Sequence, residues 1–297
     1  MKKFLSAFVV CVGLISTNAC EICGCGVGNY YIGILPQFSH KFLGVRYNFN
    51  RFQTRLTSDP TQFSNDFYQT VELWGGWNIG KRFQILGIVP FNFNHQESDE
   101  GTTDLKGLGD VAFLANYKLI DANGNNTSQQ LWIGAGVKFP TGKFTIDPNN
   151  PDVAAVANSQ LGSGSTDFIL NTMYNVRIGK LGINTAVNYK INTANQEEYK
   201  FGNKFLASSF VFYPLMVSSV VVSPNFGLLY EHTEQSALSG GKIDLTGGRI
   251  LQGSIGAEIS IGRTAIGFNA QLPVAQNFAE NQTKAKVKGM VHVSFAF

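Results

Sequence analysis

Charge is scarce in this 297-residue sequence: 14% of its residues are Asp, Glu, Lys or Arg, against the ~25% usual for soluble domains. The net charge of +3 is too small to suggest nucleic-acid binding, which shows as a clustered basic patch. After the extreme N-terminus no stretch approaches the ~18 apolar residues needed for a membrane helix, so a polytopic helical membrane protein is excluded. Proline is sparse at 9 residues and the mean hydropathy is zero; a disordered tail would instead be charged and poor in aromatics. What the chain does have is 32 Gly and 24 Phe. Average hydropathy with little charge and much Gly and Phe leaves two homes, a soluble all-β protein or a β-barrel in a membrane.

The N-terminus speaks to the compartment. Lys2 and Lys3 precede an apolar run from Phe4 to Ile15, followed by Ser16, Thr17, Asn18 and Ala19. A positive start, a short apolar core and small residues before a cleavage point are the pattern of a secretory signal peptide. The mature chain is then expected to begin near Cys20, outside the cytoplasm. A short buried helix is the other reading of this run, but nothing downstream is helical enough to pack with it.

Period-two segments fill the rest of the chain. In Lys41 to Asn50, Leu43, Val45, Tyr47 and Phe49 oppose Gly44, Arg46, Asn48 and Asn50. In Leu181 to Ile191, Leu181, Ile183, Val187 and Ile191 oppose Gly182, Asn184, Asn188 and Lys190. Successive side chains of a strand point to opposite faces, so each segment reads as a strand apolar on one side and polar on the other. The helical template finds only Asp152 to Leu161. About twelve such strands are expected, near 40–50, 67–79, 82–94, 107–120, 129–140, 165–178, 181–191, 201–213, 218–230, 249–261, 264–272 and 286–297. Most run to ~10–14 residues, twice the ordinary ~5–6 and enough for a tilted transmembrane strand of ~9–11.

The connections alternate. Long ones are expected at 51–66, 95–106, 141–164, 192–200, 231–248 and 273–285, with a medium one at 121–128. Short ones fall at Gly80-Lys81, Gly179-Lys180, Pro214 to Val217 and Gly262-Arg263. Even strand numbers, short periplasmic turns and long outer loops are the plan of bacterial outer-membrane barrels. The last strand alternates Val291, Val293, Phe295 and the terminal Phe297; such an ending resembles the signal read by the barrel assembly machinery. Trp77, Tyr117, Tyr213 and Tyr230 lie near strand ends, where an interfacial aromatic girdle would place them; packing in a core is the alternative.

If the apolar face meets lipid, the other lines a lumen. Parity assigns to that lining Arg46, Glu72, Arg82, Asp110, Lys118, Lys138, Asp167, Arg177, Lys190, Glu258, Lys286 and Lys288. An Arg or Lys facing lipid at the midplane would cost ~2–4 kcal/mol, so these groups must pair or meet water. They make either a polar pathway or a salt-bridge network that stiffens the wall. Twelve strands lie between the ~8 that side chains can fill and the ~16–18 of open porins, which predicts a narrow path.

Three motifs follow one another: Gly107-Leu108-Gly109-Asp110-Val111, Val137-Lys138-Phe139-Pro140-Thr141-Gly142-Lys143 and Gly162-Ser163-Gly164-Ser165-Thr166-Asp167-Phe168. With them the chain, from about residue 30 to Phe297, resembles the "MetA-pathway of phenol degradation" family of outer-membrane proteins, a relative of the fatty-acid and toluene uptake barrels. The resemblance implies an outer-membrane transporter for hydrophobic or aromatic compounds and supplies no binding residues. Beside it, the glycines have a plain reading as flexible strand ends around a long loop.

Cys20, Cys23 and Cys25 depart from that family pattern. As thiolates they could hold a soft metal; two could instead form a disulfide in an oxidising periplasm, or Cys20 could carry a lipid anchor, although Thr17 is a poor residue for a lipobox. No His follows Cys23, so a c-type haem attachment is absent. The histidines His40, His95, His232 and His292 stand in no nucleophile motif and no Gly-x-Ser-x-Gly elbow occurs. Tyr30 to Phe38 is apolar on both faces and carries Pro36, which suits an edge or a non-strand position; its expected place is the periplasmic mouth.

The expectation is therefore an all-β chain: a signal peptide at 1–19, a Cys-containing segment and plug at 20–39, and a transmembrane antiparallel up-and-down barrel of about 12 strands at 40–297. It would sit in the outer membrane with both termini periplasmic and act as a channel or transporter for a small, hydrophobic or aromatic solute. Its partners would be outer-membrane lipid, the barrel assembly machinery and that solute, with no nucleic acid, cofactor or enzyme activity. A barrel lipid hydrolase, or a docking barrel whose cysteines bind metal or a periplasmic partner, are the alternatives.

Overall fold

The computed structural model describes residues 41–297 apart from 58, 60, 100 and 150–152. The expected signal peptide, Cys20, Cys23, Cys25, Tyr30 to Phe38 and His40 lie outside the described residues.

Seventeen strand segments run in chain order: β1 (Phe42–Arg55), β2 (Phe63–Ile79), β3 (Phe83–Ser98), β4 (Gly101–Leu108), β5 (Ala112–Asn123), β6 (Thr127–Lys138), β7 (Asp167–Ile178), β8 (Leu181–Ile191), β9 (Tyr199–Lys200), β10 (Lys204–Phe212), β11 (Leu215–Val217), β12 (Val220–Thr233), β13 (Ala237–Leu238), β14 (Gly241–Lys242), β15 (Gly248–Ile261), β16 (Thr264–Phe278) and β17 (Thr283–Ala296). Among the described residues one α-helix, α1 (Val153–Ser159), lies between β6 and β7, inside the 152–161 stretch where the helical period appeared, and a single 3-10 turn (Ala279–Asn281) joins β16 to β17.

These segments close into a barrel of twelve antiparallel strands. β4 and β5 both pair with β3, at its two ends, and act as one interrupted strand. β10 and β11 flank Pro214 and pair with β12 in the same way. Closure comes from β1, which pairs with β2 on one edge and with the final strand β17 on the other. Phe297 N donates to the Lys41 carbonyl at 2.9 Å, so both ends of the barrel chain meet at one rim. β9, β13 and β14 form a small separate sheet within the connections of the opposite rim.

Alternation sets the two faces. Leu43, Val45, Leu73, Phe113, Leu170, Phe268, Val291, Val293 and Phe295 are exposed on the outside. Their neighbours Phe42, Arg46, Glu72, Leu114, Asn171, Asn269 and His292 are buried inside. The outside is a hydrocarbon-facing belt, the arrangement of a transmembrane barrel. Among the described residues no helix is long and apolar enough to cross a membrane; strands do the crossing. Trp77, Tyr213 and Tyr230 are exposed as expected of a girdle, whereas Trp74 and Trp132 are buried in the interior.

Three expected long loops are corrected. The connections expected at 51–66, 95–106 and 273–285 shrink to 56–62, 99–100 and 279–282, because β1, β2, β3, β4, β16 and β17 continue as paired strands. Where both faces are wetted the period-two contrast disappears, although the hydrogen-bond ladder goes on. The connections at 139–166, 192–203 and 234–247 remain long and pack on one another. Val153 and Ala157 of α1 share an apolar cluster with Tyr199, Phe201, Leu238 and Ile243.

A charged and polar lumen as candidate functional site

Ionic groups reach the lumen in compensated sets. At mid-height, register places Glu72, Arg46, His292, Gly267 and Glu258 side by side on β2, β1, β17, β16 and β15. Arg46 Nε donates to Glu72 Oε2 at 2.5 Å, and Asn48 Nδ2 adds a bond to the same oxygen at 3.1 Å. His292 Nε2 bonds Glu258 Oε2 at 3.0 Å across the intervening β16. That reach requires Gly267, since a Cβ there would lie 2.2 Å from His292 Nε2 and 2.3 Å from Glu258 Oε2. The same device recurs where Asn171 donates to Asn116 over Gly134, and Asn269 to Asn225 over Gly256. Gly134, Gly256 and Gly267 thus make room for polar pairs from the strands on either side, while Gly182, Gly227 and Gly289 stand against the rings of Phe212, Phe210 and Phe49.

A second cluster stands at the long-loop rim. Lys138 Nζ lies 2.7 Å from both Asp110 Oδ2 and Asp167 Oδ2, with Lys190 Nζ at 4.0 Å from Asp167. Ser163 donates to Asp110 Oδ2 through its backbone N and its hydroxyl, both at 2.9 Å, and its hydroxyl also bonds Lys138 Nζ. Gly142 N reaches Asp110 Oδ1 at 3.0 Å, and Ser165 Oγ reaches Asp167 Oδ1 at 2.8 Å. The three motifs that carried the family resemblance therefore meet at one point. Two lysines face two aspartates there, which keeps the burial of four charges electrostatically balanced.

This cluster anchors the 139–166 connection as a strap. Asn92 Nδ2 donates to the Leu161 carbonyl at 2.8 Å, and Asn94 Nδ2 to those of Ser159 and Gln160 at 2.8 and 3.1 Å. Both asparagines are buried on the lumen side of β3, so the strap bends inward over the mouth. Gly162 is needed at the contact: a Cβ there would stand 2.4 Å from Asp110 Oδ1 and 2.6 Å from the Gly142 carbonyl oxygen.

The wall also has apolar stretches. Phe42, Trp74, Leu86, Ile88, Leu114, Trp132, Ile169 and Met173 form one cluster. Phe210, Leu229 and Met290 form another. β15 and β16 separate β12 from β17 along the wall, so the contact of Met290 with that second group spans the lumen. Side chains from separated parts of the wall therefore meet inside the barrel at this height.

The parity-assigned residues divide. Arg46, Glu72, Asp110, Lys118, Lys138, Asp167 and Glu258 are buried, and Lys190 is half-buried beside Asp167. Lys118 pairs with Asp121 at 3.0 Å and lies 4.9 Å over the Trp132 ring. Three placements differ from parity. Arg82 lies in the exposed turn after β2, where it contacts Tyr117. Arg177 is exposed at the end of β7, where the wall gives way to solvent. Lys286 faces outward because a bulge between Asn50 and Phe52 adds a residue to β17, which keeps Lys288 inside. Sequence reasoning missed Lys204 and Glu231, paired at 3.0 Å, along with Ser163 and Ser165. Serine and asparagine side chains carry no charge, so nothing in the linear pattern marks them as partners of the ionic groups they satisfy here. Among the described residues no set of three or more His, Cys, Asp or Glu could hold a metal ion.

No family model matches the chain. No curated protein matches it in sequence. Solved structures do share its fold. An outer membrane channel from Pseudomonas putida F1 aligns with a TM-score of 0.66 at 14% identity, over 92% of this chain and 100% of that one. The beta domain of the Bordetella autotransporter BrkA aligns with a TM-score of 0.50 at 9% identity, over 87% of this chain and 100% of that one. At these identities of 14% and 9% the likeness is one of fold alone.

Proposed function

We propose that the protein is an outer-membrane channel or transporter that carries a small solute through a narrow lumen. The observation that carries this reading is the inward wall, where buried Arg46, Glu72, Lys138, Asp167, Glu258 and His292 stand behind a belt of exposed Leu, Val, Ile and Phe. A hydrocarbon-facing outside around a polar inside is the distribution of a transmembrane pore. On this reading the rim with the short turns and both ends of the barrel chain is periplasmic, and the strap closes over the outer mouth. The likeness to the Pseudomonas putida channel supports transport by analogy of fold. The apolar stretches around Trp74 and Met290 suit a hydrophobic or aromatic solute, as the resemblance to the phenol-degradation family implies.

Hydrolysis is the weaker reading. His292 is engaged by Glu258, and His95 Nδ1 bonds Asp104 at 2.7 Å on the outer surface. His232 is exposed at the end of β12. The test is the purified barrel in liposomes, assayed for swelling with a series of small aromatic and non-aromatic solutes and, in parallel, for release of fatty acid. Solute-dependent flux with no fatty acid released is expected. Fatty acid release without flux would overturn the proposal.

A further inference from the structure

The bulge that turns Lys286 outward has a second effect. Alternation counted back from Phe297 would put Lys284 and Lys286 inside, but the register shift between Asn50 and Phe52 leaves both exposed on the outer surface. On the adjacent strand Arg51 and Arg55 are exposed on that same surface, and Gln53 pairs directly with Lys284. Four cations thus lie together on two hydrogen-bonded strands, neither of which contains an Asp or a Glu. None of the four forms an ion pair among the described residues. The outward residues of the flanking β2 at this height, Phe63, Asn65, Phe67 and Gln69, add no negative charge.

Position gives the cluster its meaning. On β1 the outward face runs Leu43, Val45, Tyr47, Phe49 and then Arg51 and Arg55; on β17 it runs Phe295, Val293, Val291 and then Lys286 and Lys284. The cations begin where the hydrocarbon belt stops, on the rim opposite the short turns. The Arg51 guanidinium lies 4.7 Å over the Phe67 ring, which holds it at the surface without neutralising it. A cation at a membrane interface gains about 1 kcal/mol from an anionic headgroup layer. Arginine in addition matches phosphate with two parallel donors.

We propose that Arg51, Arg55, Lys284 and Lys286 form a binding site for the phosphorylated headgroup of an outer-leaflet glycolipid, whose acyl chains cover Val45, Phe49 and Val291. This rests on the outer-membrane reading, since only in that leaflet does the rim meet such a lipid. Free phosphate shares the headgroup chemistry but leaves the aromatic and aliphatic residues below uncovered.

The test uses the purified barrel in detergent, titrated with bisphosphorylated lipid A, with dephosphorylated lipid A and with inorganic phosphate. The wild type should prefer the bisphosphorylated lipid. K284Q/K286Q should weaken that binding by roughly 30-fold at low salt, from about 1 kcal/mol for each charge, and by less as salt rises. K81Q/K180Q, on the opposite rim, should leave it unchanged. Heat-modifiable mobility verifies that each variant is folded, and R51Q/R55Q serves as a second variant should the first not assemble. Equal binding by wild type and K284Q/K286Q, or no preference over dephosphorylated lipid, would overturn the inference. So would inorganic phosphate binding as tightly as the lipid. Density-gradient fractionation of cells reads the outer-membrane location separately, so a failed titration with correct fractionation sinks the headgroup site and not the channel.

Discussion

Asp110→Asn tests whether the strap is latched by one carboxylate. Asp110 receives Gly142 N on Oδ1, and on Oδ2 the Ser163 amide, the Ser163 hydroxyl and Lys138 Nζ. Asparagine keeps the size and one acceptor. If Oδ1 stays with Gly142, the new amide nitrogen faces two N–H donors, so at least two bonds are lost and donors oppose one another. Breaking a buried pair costs ~3–5 kcal/mol when a charge is left alone. Here Lys138 retains Asp167 at 2.7 Å, so the lower end applies, about 3 kcal/mol. The bonds from Asn92, Asn94 and Asn195 to strap carbonyls remain, which confines the loss to local opening of 139–166. Opening should become more frequent by roughly 100-fold, at about 1.4 kcal/mol per decade. The assay is trypsin cleavage at the exposed Lys143 in the purified barrel, under conditions where reclosing outruns cleavage, with conductance in planar bilayers measured alongside. Both should rise in D110N while heat-modifiable mobility is retained. Gly162→Ala should give the same result independently, because its Cβ would meet the Gly142 backbone, which cannot swing aside like a side-chain tip. If both variants cleave and conduct like wild type, the strap is held by its other contacts and the latch argument fails.

Three further outcomes are expected. Gly267→Ala should separate His292 from Glu258 and destabilise the barrel by about 1–3 kcal/mol, the cost of leaving a buried polar group unsatisfied; an unchanged urea midpoint for unfolding in detergent would contradict this. Trypsin applied to whole cells should cut at Lys143 and spare Lys180 and Arg263, which lie in short turns of the other rim; the reverse pattern would invert the topology proposed for the termini. Deleting Phe297 should lower the amount of assembled barrel, because its amide bonds Lys41 and its ring stands edge-on to Trp77 at 5.9 Å in addition to ending the assembly signal; unchanged levels of heat-modifiable protein would count against it.

The barrel itself was legible in the linear sequence. Alternation is local: Leu43, Val45 and Tyr47 need no knowledge of their partners to declare a strand with one face in hydrocarbon. Twelve such segments, with short turns such as Gly179-Lys180 recurring between long connections, imply closure and place the turns on one rim. The buried charges from Arg46 to Glu258 followed from the same parity, since a charge opposite a lipid-facing residue must point inward. Tertiary structure alone decided the rest. Parity holds along a strand only until an extra residue intervenes, and the bulge in β17 sends Lys286 out while Lys288 stays in. Strand ends beyond the belt carry no period-two contrast, so the extensions of β1, β3 and β16 became visible only through their ladders. Partner choice depends on register between strands distant in sequence. No count along the chain reveals that His292 meets Glu258 over Gly267. Nor does it reveal that Asp110, Lys138, Ser163 and Asp167 converge, because the strap must first fold inward and bring Ser163 to the carboxylate.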